Sequence, residues 1–121
     1  MRFRPEQHLR RQSDIRAVRE QGRRVDCRAF TLLWLRRPAT GANSRVCVVA
    51  STSAVGPAVQ RNRAKRRLRE VFRHHQHLVP AGCDLMLIAR AAATRWPLAE
   101  LEKKFTDACG QIQPASPPQA P

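Results

Sequence analysis

The stretch "VQRNRAKRRLREVFR", residues 59–73, carries seven Arg or Lys side chains and one acid, Glu70. Its apolar residues nevertheless keep helical time. Advancing about 100° per residue, Ala64, Leu68, Val71, Phe72 and His75 fall on one face, which is a core stripe. Asn62, Arg66, Arg69 and Arg73 follow one another at offsets of four, three and four residues, and form a second stripe well away from the first. Arg63, Arg67 and His74 lie between that stripe and the core on one flank. Arg61 and Lys65 sit nearer the core border, where long stems can carry the charge outward. Like charges one turn apart cost an isolated helix a few tenths of a kcal/mol per pair. The acids that normally lace such a face are missing apart from Glu70, so the compensation must come from a polyanionic partner. Asn62 is a poor interior helix former, yet its amide can both donate to and accept from a base or ribose. Gly56 and Pro57 ahead of the run place a helix start, with its free N–H groups, close to the same partner.

The whole chain agrees with its central helix. It has 121 residues, one domain's worth, and 42% are hydrophobic, enough for one modest core. The formal charge is +14, from 23 basic against 9 acidic residues. Most of the positive charge is Arg, which grips phosphate bidentately and stacks on bases, so nucleic acid is the expected partner. A membrane surface would call for a basic amphipathic helix with a bulky apolar face, or an anchor, and neither is present. Cys27, Cys47, Cys83 and Cys109 show no CxxC spacing and read as free, mostly buried thiols, consistent with a cytoplasmic address. The N-terminal "MRFRPEQHLRR" lacks the apolar run of a signal peptide. Its Arg content leaves an organelle transit segment open.

Outward from the basic helix, the pattern alternates between strand and helix. Upstream, residues 1–12 form a basic arm. Ser13 is the expected N-cap of a short helix ending at Gly22, with Ile15 and Val18 on one face. "RVDCRAFTLLWL", residues 24–35, is strand-like, half exposed and then buried, and divisible in two. "RRPATGANS" is a loop, and "RVCVVAS", residues 45–51, a second β-branched run. Downstream, "CDLMLIAR", residues 83–90, is a buried strand. Pro97 opens a last helix carrying Leu98, Leu101, Phe105 and Ala108, ended by Gly110. Residues 111–121 are a Pro-rich tail expected to be disordered. The order α-β-β(-β)-α-β-α, over one domain at residues 13–110, predicts an α+β fold: a small α/β sandwich with a mostly antiparallel sheet packed by helices.

Catalytic machinery is not legible. Metal-assisted phosphodiester hydrolysis needs clustered carboxylates, and Asp14, Glu20, Asp26, Asp84, Glu100 and Glu102 are scattered with no D-x-D among them. "HHQH", residues 74–77, is the one candidate for an acid–base pair, and it sits at a helix end where His meets the dipole favourably. No catalytic residue and no protein-bound metal or cofactor is assigned.

The segment "AVQRNRAKRRLREVFR" resembles the central signature of the bacterial ribonuclease P protein family: Ala-Val, then Arg-Asn-Arg, then Lys-Arg, then a further Arg. Supporting similarity runs over "DIRAVREQGRRV", "RAFTLLWL", the "RV" opening the next strand, and "CDLMLIAR". The resemblance implies a ribosomal-protein-like fold with a left-handed β-α-β crossover through the basic helix. It implies an RNA-binding subunit of an endoribonuclease holoenzyme whose RNA performs the chemistry, using Mg²⁺, to remove the 5′ leader from precursor tRNA. The partners are then the catalytic RNA and precursor tRNA, with no obligate protein partner. Arg61, Asn62, Arg63, Lys65, Arg66 and Arg69 match the signature position by position, and Arg73 extends their face. A leader-binding cleft between the first helix and the sheet maps onto Ile15, Arg19, Phe30 and Leu33, with Trp34 beside it. The family places aromatics where this chain has Ile15, Arg19 and Leu33, and a Lys pair where it has Ser53 and Ala54. A structural ribosomal protein and a major-groove DNA reader are the rival readings. Long basic extensions would favour the first, and a mixed Arg, Gln, Asn and Ser face the second.

Overall fold

The computed structural model describes residue 9 and residues 11–36, 44–80 and 82–112. The predicted loop at 37–43, most of the basic arm and the tail from residue 113 lie outside them. The elements are α1 (Gln12–Gln21), β1 (Arg23–Asp26), β2 (Phe30–Arg36), β3 (Arg45–Val49), α2 (Ala58–His75), β4 (Cys83–Ala89) and α3 (Leu98–Cys109), with short 3-10 turns at Gln76–Leu78 and Ala91–Thr94. This is the expected mixed α+β order, with the first strand region split. Asp26 makes the split: its carboxylate accepts the Arg28 backbone N–H at 2.8 Å, and Arg28 takes a positive φ of 67° to turn the chain.

Strand order in the sheet is β1-β2-β4-β3. β1/β2 and β2/β4 are antiparallel, while β3 and β4 are parallel and joined through α2. Paired positions share a face, so the register sorts every strand residue. One face carries Phe30, Leu32 and Trp34 of β2 and Leu85, Leu87 and Ala89 of β4. Ala64, Leu68, Val71 and Phe72 of α2 and Leu101, Phe105 and Ala108 of α3 complete this main core. The Phe72 and Phe105 rings meet edge to face at 6.4 Å and tie the two helices together. The other face carries Leu33 and Met86, buried beneath Val18 of α1, with Leu35, Cys47, Val49 and Ile88 half-buried around them.

Three local expectations are corrected. Ser13 does not cap α1: Arg11 is the N-cap residue, and no side chain caps the helix. The start is set by what the helix buries, Ile15 and Val18, rather than by the best local cap. Leu9, assigned to the arm, is 3% exposed and donates its N–H to the Val46 carbonyl at 2.9 Å. Ile112, assigned to the tail, is 4% exposed and belongs to the main core. Gly22 does end α1, through crowding. A Cβ there would lie 2.4 Å from the Val18 carbonyl oxygen and 3.0 Å from that of Trp34.

Candidate nucleic-acid interface

The flanks of α2 are put to different uses. On the flank towards α3, the cations are anchored. Arg63 Nε donates to the Thr94 carbonyl and Arg67 Nε to the Ala93 carbonyl, each at 3.0 Å, and a second Arg67 nitrogen donates to the Trp96 carbonyl. The 3-10 turn after β4 thus offers its unsatisfied carbonyls to the helix. Burial, followed by the neighbouring Arg63 charge, lowers the pKa of Arg67. Further along, Arg73 pairs with Glu70, His74 lies 3.1 Å from Glu70 and 3.2 Å from Glu102, and His75 lies 3.5 Å from Glu102. His74 therefore links α2 to α3, with His75 beside it. Hydrogen bonding to Arg73 holds the Glu70 carboxyl below its usual range.

The outer side is bare. Asn62, Lys65, Arg66 and Arg69 make no ion pair or side-chain hydrogen bond with another described residue. Asn62, Arg66 and Arg69 are exposed, Lys65 is half-buried, and Asn62, Arg66, Arg69, Glu70 and Arg73 line one shallow depression. Arg61 is half-buried, with its Nε buried and without a hydrogen-bond partner among the described residues. Arg63 stands between the two regimes: one nitrogen is anchored, while the side chain is exposed.

Beside the bare side of α2, the sheet face next to α1 is only half-buried, and it forms the candidate cleft. Burial pushes the Cys47 thiol up, while Arg19 of α1 and Arg69 and Lys65 of α2 pull it down, so cations from both helices act on one strand position. Cys47, Val49 and Ile88 form the half-buried floor, with Ile15 at the α1 rim. This placement corrects the mapped leader cleft. Phe30 is fully buried in the main core on the opposite face, and Trp34 lies there with it. The reason is strand period two: Phe30 and Leu33, three residues apart, must point to opposite faces. Leu33 does face α1 but is 3% exposed, covered by the helix. Cys47, Val49 and Ile88 went unassigned in the sequence, although the alternation along residues 45–49 would have phased them once one position was fixed.

Most carboxylates among the described residues are paired. Asp84 is gripped by Arg45, and Asp14 lies 3.3 Å from the same guanidinium. Asp26 lies 3.1 Å from Arg90. No group of three or more His, Cys, Asp or Glu side chains among the described residues is arranged to hold a metal ion. All four cysteines are free. Burial pushes the Cys27 thiol up to about 11 and that of Cys109 to about 12, which leaves both unreactive at neutral pH. No helix among the described residues is long and apolar enough to cross a membrane.

Comparison with known proteins points the same way. The family model for ribonuclease P matches residues 3–113. The ribonuclease P protein component of Desulfatibacillum aliphaticivorans is 42% identical over 87 residues, 72% of this chain and 71% of its own. That of Symbiobacterium thermophilum is 41% identical over 93 residues, covering 77% and 79%. In fold, the chain is similar to the RNase P protein from Thermotoga maritima, with a TM-score of 0.74 at 24% identity over 88% of this chain and 97% of that one. The Staphylococcus aureus RNase P protein gives a TM-score of 0.71 at 22% identity, covering 87% and 94%. With an RNA-suited helix, mostly paired carboxylates and these relatives, the chain belongs to the ribonuclease P protein family, the protein component of the endoribonuclease that acts with an RNA subunit in tRNA 5′ processing.

Proposed function

We propose that α2 binds the catalytic RNA, chiefly through Arg61, Asn62, Lys65, Arg66 and Arg69 of its bare side, with the partly anchored Arg63 and the Glu70-paired Arg73 flanking them, and that the cleft beside Cys47 receives the single-stranded leader of precursor tRNA. The observation that carries this reading is the set of cations left without internal partners on a helix whose other flank is firmly wired. The rigid helix fixes the spacing from which these side chains reach out, so only their own rotamer freedom is lost when phosphates meet them. The cleft continues that surface towards α1 through Lys65, Arg69 and Arg19, which lets one protein hold two RNA segments side by side. By cancelling phosphate repulsion between catalytic RNA and substrate, the protein lowers the Mg²⁺ that the RNA needs for its chemistry. The protein itself supplies no acid, base or metal ligand to the scissile bond. Free thiols at all four cysteines fit work in the cytoplasm.

Among the described residues, the cleft carries no aromatic platform for stacked bases: its floor is aliphatic with one thiol. Leader binding here rests on phosphate contact and on guanidinium stacking.

The test is reconstitution. Precursor tRNA is incubated with a bacterial ribonuclease P RNA at limiting Mg²⁺, with wild-type protein, with an Arg66→Gln/Arg69→Gln variant, and with protein alone. Wild type restores leader removal, the variant is weak, and protein alone is inert. A wild-type protein that binds this RNA tightly without promoting cleavage would contradict the proposal.

A further inference from the structure

Helix α1 has little of its own to hold it in place. It spans ten residues, buries only Val18 fully, and has no side-chain cap at its N-terminus. Helices this short are marginal without tertiary support. Yet α1 carries Ile15 and Arg19 to the rim of the cleft, so their position depends on whatever fixes the helix to the sheet.

Besides the packing of Val18 on Leu33 and Met86, a polar fixture is supplied by Arg45, the first residue of β3. Its Nε donates to one oxygen of Asp84 at 2.9 Å and its Nη2 to the other at 2.8 Å. Nη2 also lies 3.3 Å from the Asp14 carboxylate on α1. The Asp84 side chain is 3% exposed, and those of Arg45 and Asp14 are 22% and 33% exposed. One guanidinium thus joins two parallel strands to the helix across the sheet face that forms the cleft. Its pairing with the buried Asp84, above all, raises the pKa of Arg45.

We propose that Arg45 is a positioning residue for the substrate cleft: seated on Asp84, it holds Asp14 and so sets where α1 places Arg19 and Ile15 over β3. This inference rests on the cleft being the leader site. An isolated surface ion pair usually contributes little, because two long side chains must be ordered to make it. Here Arg45 is already ordered by its two bonds to Asp84, and Asp14 is short. The planar fork matters as well. A lysine keeps the charge but cannot hold both oxygens of one carboxylate while facing another.

The experiment compares Asp14→Asn, Arg45→Lys and Arg19→Ala in the reconstituted holoenzyme. Asp14→Asn leaves the Arg45–Asp84 seat intact, so the fold persists. Each variant is assayed for binding the catalytic RNA, for affinity towards tRNA with and without a leader, and for alkylation of Cys47 by iodoacetamide in the free protein. Asp14→Asn and Arg45→Lys should each cut the preference for leader-bearing tRNA by roughly threefold, the scale of one well-placed ion pair. Binding of the catalytic RNA should not change. Cys47 should label faster while Cys27, Cys83 and Cys109, buried under the other helices, stay protected. If Arg19→Ala abolishes the leader preference while Asp14→Asn changes neither preference nor labelling, the positioning role is refuted and the cleft reading stands. If Arg19→Ala also leaves the preference untouched, the cleft reading and the positioning role fall together.

Discussion

The two flanks of α2 share a composition and differ in employment. Towards α3, Arg67 and His74 are bonded to carbonyls and carboxylates of the same chain. On the outer side, Asn62, Lys65, Arg66 and Arg69 have no such partners among the described residues. The wired flank spends its cations on stability, and the bare side keeps them for something outside the molecule. Substitutions can separate the two uses, because the flank should report in unfolding and the bare side in binding.

The largest effect is expected from the bare side. Removing both charges in Arg66→Gln/Arg69→Gln deletes two charge-assisted phosphate contacts at about 1.5 kcal/mol each, so RNA affinity should fall about a hundredfold in a filter-binding titration. The same variant should move the urea unfolding free energy by no more than about 0.5 kcal/mol, as surface changes away from special features do. Relieved repulsion between like charges one turn apart acts in the stabilising direction. A large loss of stability would mean that the bare side is wired after all.

On the other flank the balance should reverse. Arg67→Met strands the Ala93 and Trp96 carbonyls and should cost about 1–3 kcal/mol in the same unfolding experiment. RNA affinity, measured at temperatures where the variant stays folded, should change little. Arg63→Gln should show a small part of both effects, since that side chain is both anchored and exposed.

Glu70 gives the smallest and most diagnostic effect, because it sits between the two regimes. Its carboxyl pKa is depressed by Arg73, so its stabilising contribution is present above the ordinary carboxylate value and is lost as pH falls through the lower, folded-state value. The side chain is 38% exposed, which limits that contribution to about 0.2–1 kcal/mol. Glu70→Gln should remove this acid-side loss from the pH dependence of unfolding. It should also release Arg73 towards the RNA and tighten binding slightly. Weaker binding by Glu70→Gln would assign Arg73 to the wired flank instead.

The helix faces were legible because their cause is local. Leu68, Val71 and Phe72 must share a side by helical period, and the arginines must then share others. Element order was legible for the same reason, through Pro57, Gly22 and the β-branched runs. What failed depended on contacts distant in sequence. Nothing near Arg67 announces that the turn at Ala91–Thr94 will receive it. Ser13 is the better local cap, but the burial of Val18 and the reach of Asp14 to Arg45 are met by a helix that begins earlier. Phe30 was misplaced for a different reason. The resemblance suggested a residue for the cleft, and strand parity, which was available in the sequence, rules that residue out once Leu33 is placed there.

The most direct measurement of the central claim is the salt dependence of binding to the catalytic RNA. Each phosphate neutralised contributes about −0.7 to −0.9 to the slope of log affinity against log salt. Wild type, Arg66→Gln/Arg69→Gln and Arg67→Met would be titrated over the same salt range. If the bare side meets phosphate, the double variant loses about 1.4–1.8 from the steepness of that slope while Arg67→Met keeps the wild-type value. Equal slopes for wild type and the double variant, or a flattened slope for Arg67→Met alone, would contradict that claim.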